Sequence, residues 1–163
     1  MNADWRDLYE REYPRLVRAL LALGGDRESA EDAAQEAFVK AQRHGLARLE
    51  RPGAWLLVVG TRELFRSRRH RRREAEAWPD GAVESGAGYE AAIERADLVA
   101  ALRQLPERQR AIVVARFYYD LSYADIARSF AISSGTVGAT LNQAISRLRQ
   151  LHLGARLARG AMR

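Results

Sequence analysis

Residues 120–150 read DLSYADIARSFAISSGTVGATLNQAISRLRQ, and their spacing decides what kind of fold this chain adopts. Ser122 stands three residues before Asp125, the form of a capping box ahead of a short helix. Ile126, Ala127 and Phe130 supply the apolar side of that helix. Ala131-Ile132-Ser133 makes a turn, and either Ser133 or Ser134 can cap the helix that follows. Val137, Leu141, Ile145 and Leu148 then recur as one apolar stripe. A short helix, a tight turn and a longer helix make a helix-turn-helix. The second helix of such a unit enters the major groove of DNA by its N-terminal half. An ordinary helical hairpin shares the outline, but the small Ala127, the apolar Ile132 in the turn and the basic surroundings favour DNA binding.

Opposite the stripe, helical spacing puts Gly135, Ala139, Asn142, Gln143 and Ser146 on one exposed face. Asn and Gln side chains can each pair with an adenine edge through two hydrogen bonds. Arg147 and Arg149 follow, within reach of phosphates. For any single one of these residues, a solvated face is as good an account as DNA contact.

Outward from this unit the apolar spacing stays helical. Leu105-Pro106 starts a helix ending near Tyr119, and a helical pattern precedes it from about Tyr89 to Gln104. Residues 78–88, WPDGAVESGAG, combine Pro, Gly, Ser and acid, the composition of a flexible linker. Before the linker, Trp5, Leu8, Tyr9, Leu16, Leu20 and Leu23 mark one face of a first helix, which Gly24-Gly25 ends. Asp26 can cap a second helix reaching about Arg43, with Ala30, Ala33, Ala34, Ala37, Phe38 and Ala41 inside. Pro52 suits the first turn of a third helix, whose apolar residues are Trp55, Leu56, Val59 and Phe65. No strand-like alternation and no internal repeat occurs. The expected fold class is all-α, as two small helical domains, 1–75 and 98–163, joined by a flexible acidic linker, 76–97.

Charge is sorted along the chain in the same three parts. The net formal charge is +6, and Lys40 is the single lysine among 27 basic residues. Residues 1–73 carry 16 basic against 11 acidic side chains, residues 74–97 carry one against seven, and residues 98–163 carry ten against three. Two basic blocks flanking an acidic middle point to two modules that face nucleic acid. The absence of Cys excludes disulfides, thiolate metal sites and thiol catalysis. No signal peptide and no membrane insertion are expected, because no basic start leads into an apolar run and no apolar run is long enough to span a bilayer.

Seven Arg lie between Arg62 and Arg73, more than the capping of a helix C-terminus needs. Trp55 and Phe65 nearby read as core residues, although aromatic or Arg side chains here could also hold single-stranded bases by stacking. On the second helix, Glu28, Asp32, Gln35, Glu36 and Val39 share the outer face. A charged outer face is usually only solvated, and the apolar Val39 in its middle is a hint of a partner surface. No phosphate-cradling Gly loop, HExxH or GxSxG is present, and His44, His70 and His152 stand apart. The chain is therefore expected to be no enzyme, with no cofactor and no metal.

Several of these motifs, in order, resemble the extracytoplasmic-function, or group IV, RNA polymerase sigma factors of the sigma-70 family. Ala30-Glu31-Asp32-Ala33-Ala34-Gln35-Glu36-Ala37-Phe38 is similar to that family's core-binding helix. Ala54-Trp55-Leu56-Leu57 opens a helix that ends in Arg, as in the family. Leu105-Pro106-Glu107-Arg108-Gln109-Arg110 resembles the start of its second domain, Phe117 to Ala127 its first DNA-binding helix, and Gly135-Thr136-Val137 the opening of its recognition helix. The resemblance implies a sigma-two helical bundle and a sigma-four helix-turn-helix in a bacterial, cytoplasmic transcription-initiation factor. It implies that Asp32, Gln35, Glu36 and Val39 face the beta-prime clamp helices of core RNA polymerase. It implies that Arg43, His44, Arg48, Arg51, Trp55, Arg62, Glu63, Arg66 and Arg69 read and open the minus-ten element of promoter DNA. It assigns the minus-thirty-five element to Ser134, Gly135, Thr136, Ala139, Asn142, Gln143, Ser146, Arg147 and Arg149, on a domain packed against the beta flap. An anti-sigma factor is a further implied partner. The acidic linker would occupy a positively lined polymerase channel until RNA displaces it. Two departures stand out: Gly138, Thr140 and Gln143 replace residues that are usually basic, and Glu63 stands where many members have Asn. Two other readings are weighed: a stand-alone helix-turn-helix regulator, and a sigma mimic that only sequesters an anti-sigma factor.

Overall fold

The computed structural model describes residues 3–77 and 93–161, with side chains over 4–74 and 98–151. The chain divides into two compact units, Met1–Gly88 and Tyr89–Arg163. All regular elements among the described residues are helical.

The first unit is a three-helix bundle of α1 (Ala3–Ala22), α2 (Arg27–His44) and α3 (Pro52–Ala77). Each helix packs on the other two. Leu8, Leu16, Leu20 and Leu23 of α1 and the adjoining turn meet Leu56, Leu57 and Leu64 of α3, all at most 3% exposed. Fully burying one such side chain is worth about 1.5–3 kcal/mol. The inner stripe of α2 is alanine plus Phe38, as its spacing predicts. Alanines keep this helix slim, so α2 and α3 can lie close. Gly60 lets α3 approach α1 closely, since a Cβ there would lie 3.3 Å from both Leu16 and Leu20. Gly24, at φ +96°, lets the chain leave α1. Asp26 then caps α2, its Oδ1 accepting from the Ser29 amide at 2.8 Å. A one-turn 3-10 helix, Leu46–Arg48, fills the connection to α3.

The buried arc of α3 is wider than its spacing predicts. Ala54, Val58 and Thr61 are buried beside Leu56 and Leu57, whereas Trp55, Val59 and Phe65 are only half-buried. The reason is tertiary: α3 contacts two helices at once, so its inner face spans both flanks.

The second unit holds α4 (Ile93–Arg103), α5 (Glu107–Phe117), α6 (Tyr123–Phe130) and α7 (Ser134–Ala161). Five consecutive residues of α5, Ala111 to Ala115, are all buried. A helix apolar all round is a central helix. Beside them the buried Arg110 donates to the carbonyls of Arg103 at 2.9 Å and Leu105 at 2.8 Å. Its cation thus closes the C-terminal end of α4, where carbonyls and the helix dipole favour positive charge. The expected helix-turn-helix is present as α6, a turn and α7. Ser122 caps α6, accepting from the Asp125 amide at 3.1 Å, and Ser133 rather than Ser134 caps α7, accepting from the Thr136 amide at 3.0 Å. Ala131 turns the corner in the left-handed conformation, φ 54°.

Residues 76–77 of the expected linker are the end of α3, and residues 93–97 are the start of α4. The stretch between them, with the WPDGAVESGAG segment and the helical pattern expected from Tyr89, lies outside the described residues.

Candidate nucleic-acid interface

Helix α2 turns its alanine stripe inward, so its charged positions must face out. Asp32 and Gln35 are exposed, Glu36 is half-buried, and Val39 keeps 40% of its surface open to solvent. These four residues line one wall of a groove of about 640 Å³ between α2 and α3. Glu63, Arg66 and His70 of α3 line the other. The candidate core-binding set is therefore one continuous surface, and it abuts part of the candidate minus-ten set.

The two sets are joined by charge. Lys40 Nζ lies 3.7 Å from Glu36 Oε1 and forms a close ion pair with Glu63 Oε1, while Arg66 binds Glu63 Oε2. The Glu63 side chain is only 12% exposed. Both of its oxygens are occupied by cations. Lys40 is the member of this cluster that sequence reasoning missed; its uniqueness as the single lysine was the available signal.

The connection from α2 to α3 presents Arg43, His44, Arg48 and Arg51 as exposed side chains. The His44 ring stacks on Trp55, with centroids 5.7 Å apart and planes 27° from parallel. Trp55 is half-buried, so one flat platform stands at the edge of the bundle. Further along α3, Arg62, Arg66 and Arg69 are exposed, as are Arg72 and Arg73.

Two arginines of the same run face inward instead. Arg71 donates to Ser29 Oγ at 2.6 Å and lies 3.8 Å from Asp26 Oδ2. Arg68 reaches the Leu23 carbonyl at 3.5 Å. Both tie α3 to the turn between α1 and α2. Partial burial pushes the Asp26 carboxyl up, but the hydrogen bonds from Ser29 and the charge of Arg71 outweigh it, so the carboxyl sits below its ordinary range.

In the second unit, every residue expected to read the minus-thirty-five element is exposed: Ser134, Gly135, Thr136, Ala139, Asn142, Gln143, Ser146, Arg147 and Arg149. The stripe of Val137 and Leu141, continued by Ala144, is buried behind them. Gln143 Oε1 accepts a long hydrogen bond, 3.4 Å, from Gln109 Nε2. A side chain at Gly138 would come within 3.5 Å of the Tyr123 ring. Phe117, Tyr118 and Tyr123 are exposed aromatics that the sequence reading placed inside a motif without assigning them a surface. An aromatic cluster of Trp5, Tyr9 and Tyr13 around Phe38 was likewise not foreseen.

Comparison with known proteins matches both units. The sigma-70 region 2 family model covers residues 8–74, and the sigma-70 region 4 model covers residues 95–148. The chain is 34% identical over 152 residues to the ECF RNA polymerase sigma factor SigL of Mycobacterium tuberculosis, covering 88% of this chain and 86% of that one. The chain belongs to the extracytoplasmic-function group of the sigma-70 family. This sigma factor is also 32% identical over 140 residues to the RNA polymerase sigma-E factor of Streptomyces avermitilis, covering 83% and 77% of the two chains. Among solved structures, its fold is shared with the sigma factor RpoE of Bartonella quintana, in a complex with the anti-sigma factor NepR. That match has a TM-score of 0.79 at 24% identity and covers 92% of this chain and 97% of that one. No helix among the described residues is long and apolar enough to cross a membrane.

Proposed function

We propose a division of labour within this sigma factor, which directs bacterial core RNA polymerase to promoters and opens the minus-ten region. The outer face of α2, with Asp32, Gln35, Glu36 and Val39, docks on the beta-prime clamp helices. The connection from Arg43 to Arg51 and the outward arginines of α3 take the minus-ten element and hold its opened strand. The exposed face of α7 reads the minus-thirty-five element while its unit packs on the beta flap. A single observation carries this reading: the acidic face of α2 and Arg66 of α3 border one groove of one three-helix bundle. A protein seated on α2 thereby brings its DNA to α3.

The energetics are adequate. Unstacking a base costs a few kcal/mol. Stacking it on an aromatic ring returns about 1–3 kcal/mol, and the His44–Trp55 platform offers such a ring. Arginines along α3 hold the backbone of the strand. The chain acts as a regulatory subunit, not an enzyme, in the cytoplasm where the polymerase works. An anti-sigma factor is a further proposed partner, by analogy with the RpoE–NepR complex.

The test is reconstitution. The purified chain is mixed with core polymerase, bound genomic fragments are selected, and run-off transcription is measured from them. Start sites sharing minus-ten and minus-thirty-five elements are expected. Tight binding to duplex DNA without core would instead identify a stand-alone regulator. Capture of an anti-sigma factor with no transcript from any fragment would identify a sequestering mimic.

A further inference from the structure

The geometry points to Lys40 as a positioning residue for the strand-binding helix, acting through Glu63 on Arg66. This inference rests on the reading of α3 as the minus-ten strand-binding helix. Lys40 lies on α2, 23 residues before Glu63, and its ammonium crosses to α3 to bind Glu63 Oε1. The other oxygen of that carboxylate holds the Arg66 guanidinium. Arg66 itself is 69% exposed, so it stands where a phosphate could reach it. The Glu63 side chain is only 12% exposed, so protein covers most of its surface.

A carboxylate shared by two cations binds each less firmly than a carboxylate held by one. The Lys40–Glu63 pair therefore sets how tightly Arg66 is held back from DNA. Lys40 is in turn shared with Glu36, on the face proposed to dock on polymerase. A cationic partner group that takes Glu36 leaves Lys40 wholly to Glu63, and Arg66 is loosened. Loss of Lys40 does the reverse: Glu63 keeps a single counterion and grips Arg66.

The experiment uses holoenzyme and a fluorescein-labelled non-template oligonucleotide spanning the minus-ten element of a promoter recovered in the genomic selection. Lys40→Met is expected to weaken binding about fivefold, the scale of one modest ion pair. Lys40→Arg is expected to restore it, and Glu63→Gln to strengthen it by a similar factor. The double variant K40M/E63Q is expected to bind like E63Q alone, because no carboxylate remains to restrain Arg66. In an Arg66→Ala background, Lys40→Met is expected to change affinity less than twofold. A long-range charge effect would make the double variant resemble wild type and would leave the Lys40→Met effect intact without Arg66; either result overturns the inference. Should Lys40→Met fail to fold by circular dichroism, Lys40→Gln with and without Arg66 decides instead, on the same two outcomes. Failure of wild-type holoenzyme to prefer the minus-ten oligonucleotide over a scrambled one would overturn the underlying reading, and the inference with it.

Discussion

Replacing Arg69, Arg72 and Arg73 together with Ala is expected to flatten the salt dependence of promoter binding. All three side chains are exposed. Each phosphate neutralised adds about 0.7 to the slope for single strands and about 0.9 for duplex DNA. If all three reach phosphates, the slope of log affinity against log salt falls by about 2 to 3. Between 50 and 200 mM salt, such a slope is about a 20- to 40-fold difference in how much affinity is lost. The assay is holoenzyme affinity for matched and mutated promoter fragments across that salt series. All promoters should weaken alike, since phosphate contacts carry no sequence information. The contrasting pair, Arg68→Ala with Arg71→Ala, removes contacts to the α1–α2 turn. It should leave most of the slope and lower thermal stability, by about 4–8 °C for each kcal/mol lost in a domain of this size. An unchanged slope in the triple variant, or equal slope losses in both sets, would refute the sorting of this arginine run into outward and inward members.

Replacing Asn142 and Gln143 with Ala is expected to keep the salt slope but cost about 1–3 kcal/mol of discrimination within the minus-thirty-five element, measured by competition between matched and mutated fragments. Reversing charge at Asp32 and Glu36 together should abolish co-purification with core polymerase while helical circular dichroism is retained, because neither side chain belongs to the buried core; wild-type yield would refute the docking face. Asp26→Ala is expected to cost about 1 kcal/mol through loss of the α2 cap. Because the folded Asp26 carboxyl sits below its usual range, its contribution is present above about pH 4 and fades as pH falls through the lowered value. The gap in melting temperature between wild type and variant should therefore close on acidification; a gap constant down to pH 2 would contradict this. Ala131→Gly should stabilise the second unit by about 1 kcal/mol, because Ala131 holds φ 54°, a conformation that costs an alanine and not a glycine; a drop in its melting temperature would refute that account.

What the sequence alone determined was everything written in local spacing. Alanines at 30, 33, 34, 37 and 41 can share one side only if the segment is a helix, so the outward position of Asp32, Gln35 and Val39 followed without coordinates. Ser122 and Asp125, three apart, likewise defined where α6 begins. The exposed face of α7 followed from the buried stripe behind it. The tertiary structure decided what each charge meets. Arg68, Arg69, Arg71 and Arg72 look alike in a run, yet two of them face a turn more than 40 residues away in the chain. Glu63 reads as a DNA-facing residue by its place in the motif, yet it is a largely buried acid shared between Lys40 and Arg66. Trp55 reads as core, yet its ring is half-open beneath His44. Periodicity reports which way a side chain leaves its own helix. Whether a long, flexible cation ends on a carboxylate, a carbonyl or open solvent depends on which other helix lies within its reach, and that is settled only when α1, α2 and α3 pack.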